Sequence, residues 1–249
     1  MAHVPILLIH GFPFDHLLWR HQVAALTRWR CIAPDLRGAG AAGAPIPVDQ
    51  FSMASYADDL IALLDQSQID EAVVCGLSMG GYITFELLRR FPQRVRAAIL
   101  CNTKAAPDTP EAKTGRDALA VRAEQGDAPV VADALLPKLF ARATRERQPA
   151  IVREVREMIL RQPVWGIVGA LRALRDRPDS TPLLGRIRVP VLVVAGDDDQ
   201  IAPAVEMEAM ARAIPGAKFS LVANAGHLTP LEQPLALTGV INGFLRGLG

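Results

Sequence analysis

Residues 72–82 read Ala72-Val73-Val74-Cys75-Gly76-Leu77-Ser78-Met79-Gly80-Gly81-Tyr82. An apolar run over residues 72–75 ends at a glycine, and a serine follows between spaced glycines. From residue 82 to 90 the apolar side chains Tyr82, Phe85 and Leu88 then recur at helical spacing. Strand, tight turn and helix therefore follow one another, with Ser78 at the turn. Glycines on either side relieve crowding in a strained backbone and leave the serine hydroxyl exposed at the carboxyl end of the strand. The helix N-terminus beside it favours developing negative charge. Ser78 is the candidate nucleophile.

Five further short runs rich in Val, Ile and Leu, over residues 4–9, 30–33, 97–101, 189–195 and 218–222, read as strands, mostly without polar alternation. Continuous apolar strands imply a sheet covered on both faces. Helical stripes lie between them, one formed by Met53, Tyr56, Ala57, Leu60, Leu63 and Leu64. Strand alternating with helix predicts an α/β fold with a doubly wound, mostly parallel sheet. The alternation stops over residues 104–188. That stretch holds no convincing strand and reads as amphipathic helices punctuated by Pro110, Gly126-Asp127, Pro149, Pro163 and Pro178. The expected organisation is a core of residues 1–103 and 189–249 with a helical cap, 104–188, inserted before a late strand.

The chain has 249 residues, 21% of them charged and 50% hydrophobic, which suits a folded core rather than disorder. Its net charge of +1 argues against general nucleic-acid binding. That near-neutrality hides an asymmetry, since residues 104–188 carry 16 Lys/Arg and 11 Asp/Glu, a net +5 against −4 elsewhere. No apolar run reaches the ~20 residues of a membrane span, and the opening Met1–Ile9 stretch lacks a basic region and a cleavage site. Cys31, Cys75 and Cys101 are widely spaced and form no Cys-x-x-Cys, so neither a disulfide framework nor a zinc site is indicated. The expectation is a soluble, cytoplasmic globular protein without a metal.

A serine needs a base, itself oriented by an acid. His227 follows the last predicted strand in Ala225-Gly226-His227-Leu228, where a loop brings its ring toward Ser78. After the strand over residues 189–195 comes Gly196-Asp197-Asp198-Asp199-Gln200, so three adjacent carboxylates compete for the role of acid. Adjacent acids on one loop rarely converge on a metal ion. Local chemistry does not choose among the three.

Taken in order, His10-Gly11-Phe12-Pro13, Gly76-x-Ser78-x-Gly80-Gly81, Gly196-x-x-Asp199-x-x-x-Pro203 and Gly226-His227 resemble the α/β-hydrolase superfamily. Pro34-Asp35-Leu36-Arg37-Gly38 and Leu231-Glu232-Gln233-Pro234 extend the likeness over the chain outside the cap. The resemblance implies a Ser78–His227–Asp199 triad, an oxyanion hole from the backbone N–H groups of Phe12 and Met79, and no cofactor. Physics supports Met79 independently, because the first amide of a helix has no partner within it. His10 resembles a buried structural residue of its loop. Two antiparallel strands usual before the first strand of the family are absent, which exposes a sheet edge and raises the expectation of a homodimer contact there.

The serine nucleophile favours carboxylic ester hydrolysis over the aspartate chemistry of related epoxide hydrolases. A likeness to bacterial 3-oxoadipate enol-lactonases makes a lactone the alternative substrate, and cofactor-free perhydrolases share the same triad. A non-catalytic ligand-binding member is the alternative of another class. Phe12, Phe14, Met79, Leu136, Phe140, Trp165 and Leu228 are the candidate substrate contacts, and Trp19 reads as core.

Overall fold

A computed structural model describes residues 4–41, 43–126 and 128–248; Met1–His3 and Asp127 thus lie outside the described residues. Six strands form one parallel sheet: β1 (Ile6–Ile9), β2 (Cys31–Ile32), β3 (Ala72–Leu77), β4 (Val95–Cys101), β5 (Val191–Gly196) and β6 (Lys218–Val222). Their order is β2-β1-β3-β4-β5-β6, so the chain reverses direction across the sheet between β1 and β3. In open parallel sheets, ligands bind in the crevice at such a switch point, outside the carboxyl ends of the strands.

All six expected strands are present, most with shifted ends, and two of the shifted starts have an identifiable reason. The strands expected from residues 4 and 189 begin at Ile6 and Val191 instead. Pro5 and Pro190 have no N–H for the ladder, and each offers only its carbonyl, to Val73 N and Ala98 N at 2.9 and 3.0 Å. One edge of the sheet is β2, which is two residues long and half-buried. Short edges of this kind limit pairing with other chains.

Alternate strand residues enter two apolar clusters. Ile6, Leu8, Val73, Cys75 and Ile99 face one side of the sheet, whereas Leu7, Ile9, Val74, Ala98 and Leu100 face the other. The flanking helices include α1 (Arg20–Ala25), α2 (Met53–Gln66) and α3 (Met79–Arg90). Ser52 and Ser55 close a reciprocal capping box at the start of α2, and Met53, Tyr56, Ala57, Leu60 and Leu64 are its buried face. Cys75 and Cys101 are buried free thiols, and burial pushes the Cys75 pKa up.

Between β4 and β5, the described residues form α4 (Pro110–Gly126), α5 (Ala128–Leu139), α6 (Arg142–Arg147), α7 (Pro149–Leu160) and α8 (Val164–Arg175). Buried side chains of this stretch, Phe140, Val155, Met158 and Ile167 among them, join the cluster on one face of the sheet. After β5 come α9 (Ala204–Arg212), α10 (Thr229–Glu232) and α11 (Pro234–Arg246). No helix among the described residues is long and apolar enough to cross a membrane.

The two connections that enter and leave this helical stretch are tied together. Ser180 N donates to Ala105 O at 2.9 Å, and Arg177 donates to Ala106 O at 3.1 Å and to Asp108. Arg116 also pairs with Asp108, and the Arg177 guanidinium lies 4.4 Å over the Tyr82 ring. Burial would raise the Asp108 pKa, but the two arginines outweigh it and hold the carboxyl below its ordinary value. The folded state therefore binds fewer protons here than the unfolded chain. The stabilisation is complete above the ordinary aspartate pKa of about 3.9 and is lost as pH falls through the depressed folded value. Asp108→Asn, which leaves Arg177 buried without its carboxylate, is expected to lower the unfolding free energy at neutral pH by about 3 kcal/mol. Urea denaturation measures this, and the gap to the wild type should narrow on acidification.

Candidate active site

Ser78 occupies the junction of β3 and α3 with φ 53° and ψ −111°, a conformation costly for a residue with a Cβ. The turn is possible because its neighbours have no side chain. A Cβ on Gly76 would lie 2.2 Å from the Gly80 carbonyl oxygen, and one on Gly80 would lie 2.3 Å from Ile9 O. Backbone hydrogen bonds hold the strained residue: Ser78 N donates to Cys101 O at 3.0 Å, and Ser78 O accepts from Thr103 Oγ1 at 2.8 Å. Ser78 is half-buried between buried neighbours.

Asp199 and His227 leave the carboxyl ends of β5 and β6. His227 Nδ1 and Asp199 Oδ2 are 2.8 Å apart, and both side chains are buried. The other carboxylate oxygen accepts from Ile201 N and Ala202 N at 2.8 and 3.0 Å. Burial alone would push the Asp199 pKa up. The facing His227, together with hydrogen bonds from His227, Ala202 and Asn102, outweighs it and holds the carboxyl below its ordinary value. An ionised Asp199 holds the proton of His227 on Nδ1 and leaves Nε2 free to accept.

The three adjacent acids have different partners. Asp197 Oδ1 accepts from Ala225 N at 3.2 Å, in the loop that leads to His227. Asp198 Oδ2 accepts from Arg142 N at 2.7 Å, at the start of α6. Only Asp199 meets the imidazole. Asn102, absent from the expectations above, completes the group at the end of β4. Its amide donates to Asp199 Oδ2 at 2.8 Å and to Gly226 O at 3.1 Å, and its oxygen accepts from Thr229 Oγ1 at 2.8 Å. A lone asparagine after an apolar strand carries no sequence signal for this role.

A small cavity opens beside the serine turn, lined by Phe12, Phe14, Tyr56, Met79 and Ile167 among others. Phe12 follows the end of β1 and Met79 begins α3, so the two expected oxyanion donors border one space. His10 also borders it and is almost fully buried. Its Nδ1 lies 2.9 Å from Gly11 O, and its Nε2 accepts from Leu36 N at 3.0 Å. Burial pulls its pKa down, which fits a neutral ring bracing the loop.

Of the other expected contacts, Phe140 and Leu228 are fully buried in the sheet-side cluster. Leu136 is half-buried against that cluster, and Trp165 packs edge-on to Phe51 at 6.0 Å. Trp19 is core. Asp15, His16 and Asp35 bring three ligand-type atoms within 4.8 Å of one another. Their carboxylates are already engaged by the amides of His16, Leu17 and Ala41 and by Arg161 and Gln162.

A family profile for the α/β-hydrolase fold matches residues 4–234. The chain is 31% identical over 230 residues to 3-oxoadipate enol-lactonase 2 of Acinetobacter baylyi, spanning 92% of this chain and 84% of that protein. Among solved structures it is similar to a thermophilic esterase from Thermogutta terrifontis, with TM-score 0.95 and 40% identity over 99% of this chain and 91% of that one. An enol-lactonase from Burkholderia xenovorans superposes with TM-score 0.90 and 31% identity, over 99% and 92% of the two chains.

Removing Asn102 leaves a buried carboxylate, a buried hydroxyl and the Gly226 carbonyl each one partner short. Asn102→Ala is therefore expected to cost about 3 kcal/mol of unfolding free energy in urea denaturation. Asn102→Asp, which sets a second carboxylate against Asp199, should cost more.

Proposed function

The chain belongs to the α/β-hydrolase fold family and is a hydrolase of that family, and from that membership we propose that it cleaves carboxylic esters through an acyl-enzyme intermediate. The observation that carries this reading is the buried Asp199–His227 pair at 2.8 Å, at the same sheet edge as a strained, half-buried Ser78.

In this reading Ser78 Oγ attacks the ester carbonyl carbon while its proton passes to His227 Nε2. Asp199 stabilises the imidazolium from the Nδ1 side. The carbonyl oxygen, now an oxyanion, is met by the backbone N–H groups of Phe12 and Met79, each worth about 3 kcal/mol in the transition state. Collapse of the adduct breaks the bond to the alkoxy oxygen, which takes the proton from His227 and leaves as the alcohol. Water then attacks the acyl group and gives a proton to His227 Nε2. That proton returns to Ser78 Oγ as the carboxylic acid departs. No cofactor or metal takes part. Helices α4–α8 serve as the cap over residues 104–188, and the group next to the carbonyl enters the cavity bordered by Phe12, Phe14 and Ile167.

A lactone substrate is the second reading, favoured by the relatives named as enol-lactonases. A lactone is an ester whose alcohol stays tethered to its acyl group, so the same steps apply. The excess positive charge of residues 104–188 is compatible with an anionic substrate. A panel of p-nitrophenyl esters of increasing acyl length, beside a carboxylate-bearing enol-lactone, separates the two by kcat/KM. A preference of more than about tenfold, near 1.4 kcal/mol, for the lactone would overturn the linear-ester reading.

A fluorophosphonate is expected to label Ser78, located by peptide mass spectrometry, and Ser78→Ala should abolish ester hydrolysis while leaving the fold intact. Failure of the folded wild type to label would sink the serine mechanism. Asp199→Asn is expected to reduce kcat by about 10⁴-fold, because it favours the wrong imidazole tautomer. The same change at Asp197 or Asp198, whose partners are backbone amides, should cost less than about tenfold. Equal losses at the three positions in steady-state assays would contradict the assignment.

A further inference from the structure

Glu232, in α10, is 2% exposed, and no cation pairs with it among the described residues.

Four donors converge on its carboxylate instead. Oε1 accepts from Gly226 N at 2.9 Å and from Leu228 N at 3.0 Å, the amides on either side of His227. Oε2 accepts from Ala141 N at 2.8 Å and from Thr144 Oγ1 at 2.7 Å, at the start of α6. The amide of His227 itself donates to Leu139 O at 3.0 Å. Three consecutive amides of the histidine loop are thus held by one carboxylate and one carbonyl of the helical stretch. The contact is close as well as polar, since a Cβ on Gly226 would lie 2.4 Å from Ala141 N. Burial pushes the Glu232 pKa up, and the four donors act against that push.

We infer that Glu232 is a positioning residue for His227, clamping the histidine loop onto residues 139–144 so that the imidazole keeps its place between Asp199 and the serine turn. The inference rests on the serine-hydrolase reading for its effect on rate, but the clamp can be measured without it. Glu232 touches neither substrate nor the reacting atoms. It acts through the backbone, and displacement of a reacting group by about 1 Å can cost about 10²-fold in rate. A glutamine in its place offers one acceptor oxygen and turns an NH₂ toward donors, so part of the clamp is lost whichever way the amide is flipped.

The test compares the wild type, Glu232→Gln and Glu232→Ala in p-nitrophenyl acetate hydrolysis, with active sites titrated by a fluorophosphonate and amide exchange followed over residues 226–228. Expected are a fall in kcat per titrated site of about tenfold for Glu232→Gln and up to about 10²-fold for Glu232→Ala. KM should stay within about threefold and exchange at the three amides should quicken. A merely structural role would lower the titre and leave kcat per site unchanged. Glu232→Gln with wild-type kcat per site and wild-type exchange would overturn the inference, and this milder variant carries the test if Glu232→Ala does not fold. A wild type that hydrolyses nothing and labels nowhere would defeat the serine mechanism alone; the exchange comparison would still decide whether Glu232 holds the histidine loop.

Discussion

The close approach of backbone to backbone at the β3–α3 junction is the constraint on which the site depends. Gly76 sits against the Gly80 carbonyl and Gly80 against Ile9 O, with no space for a methyl group at either position. This lets α3 begin directly over the ends of β1 and β3 and turns Ser78 into a positive-φ conformation. Such strain costs on the order of 1–3 kcal/mol. The Ser78 backbone bonds to Cys101 and Thr103 offset part of that cost and bind the turn to β4 and the residues after it.

A parallel sheet brings every strand's carboxyl end to one edge, so the loops after β1, β3, β4, β5 and β6 meet there. Each contributes a different component: Phe12, Ser78, Asn102, Asp199 and His227. Asn102, Asp199 and His227 are joined to one another by a buried polar network. Asn102 joins the acid loop to the histidine loop through Asp199 and Gly226, and Thr229 completes its bonding. Buried polar groups are costly when unpaired, so a network in which each member depends on the next resists small displacements.

The helical stretch between β4 and β5 belongs to this arrangement. Its buried side chains share an apolar cluster with the sheet. Leu139, Ala141 and Arg142 present backbone groups to His227, Glu232 and Asp198. At its other end, Asp108 and Arg177 tie its two connections together. The stretch is thereby held both at its connections and at the histidine loop.

Strand positions, the alternation with helices and the Ser78 turn were legible in the sequence because they rest on local rules: apolar runs, helical spacing, and glycines where a side chain would collide. The strand starts at Ile6 and Val191 follow from Pro5 and Pro190, which have no N–H for the ladder. Resemblance selected Asp199 from three adjacent acids, whereas local chemistry left them equal; their different partners emerge only when the loops after β5 and β6 meet α6. Asn102 and Asp199 are 97 positions apart, and Glu232 is 91 positions from Ala141. Their hydrogen bonds depend on loop ends brought together by the whole sheet, and no periodicity in a chain encodes such a distance. The sequence by itself determined which segments become strands and helices and where the strained serine sits; the tertiary structure alone decided which buried polar groups meet, because each must find its partner among residues remote in the chain.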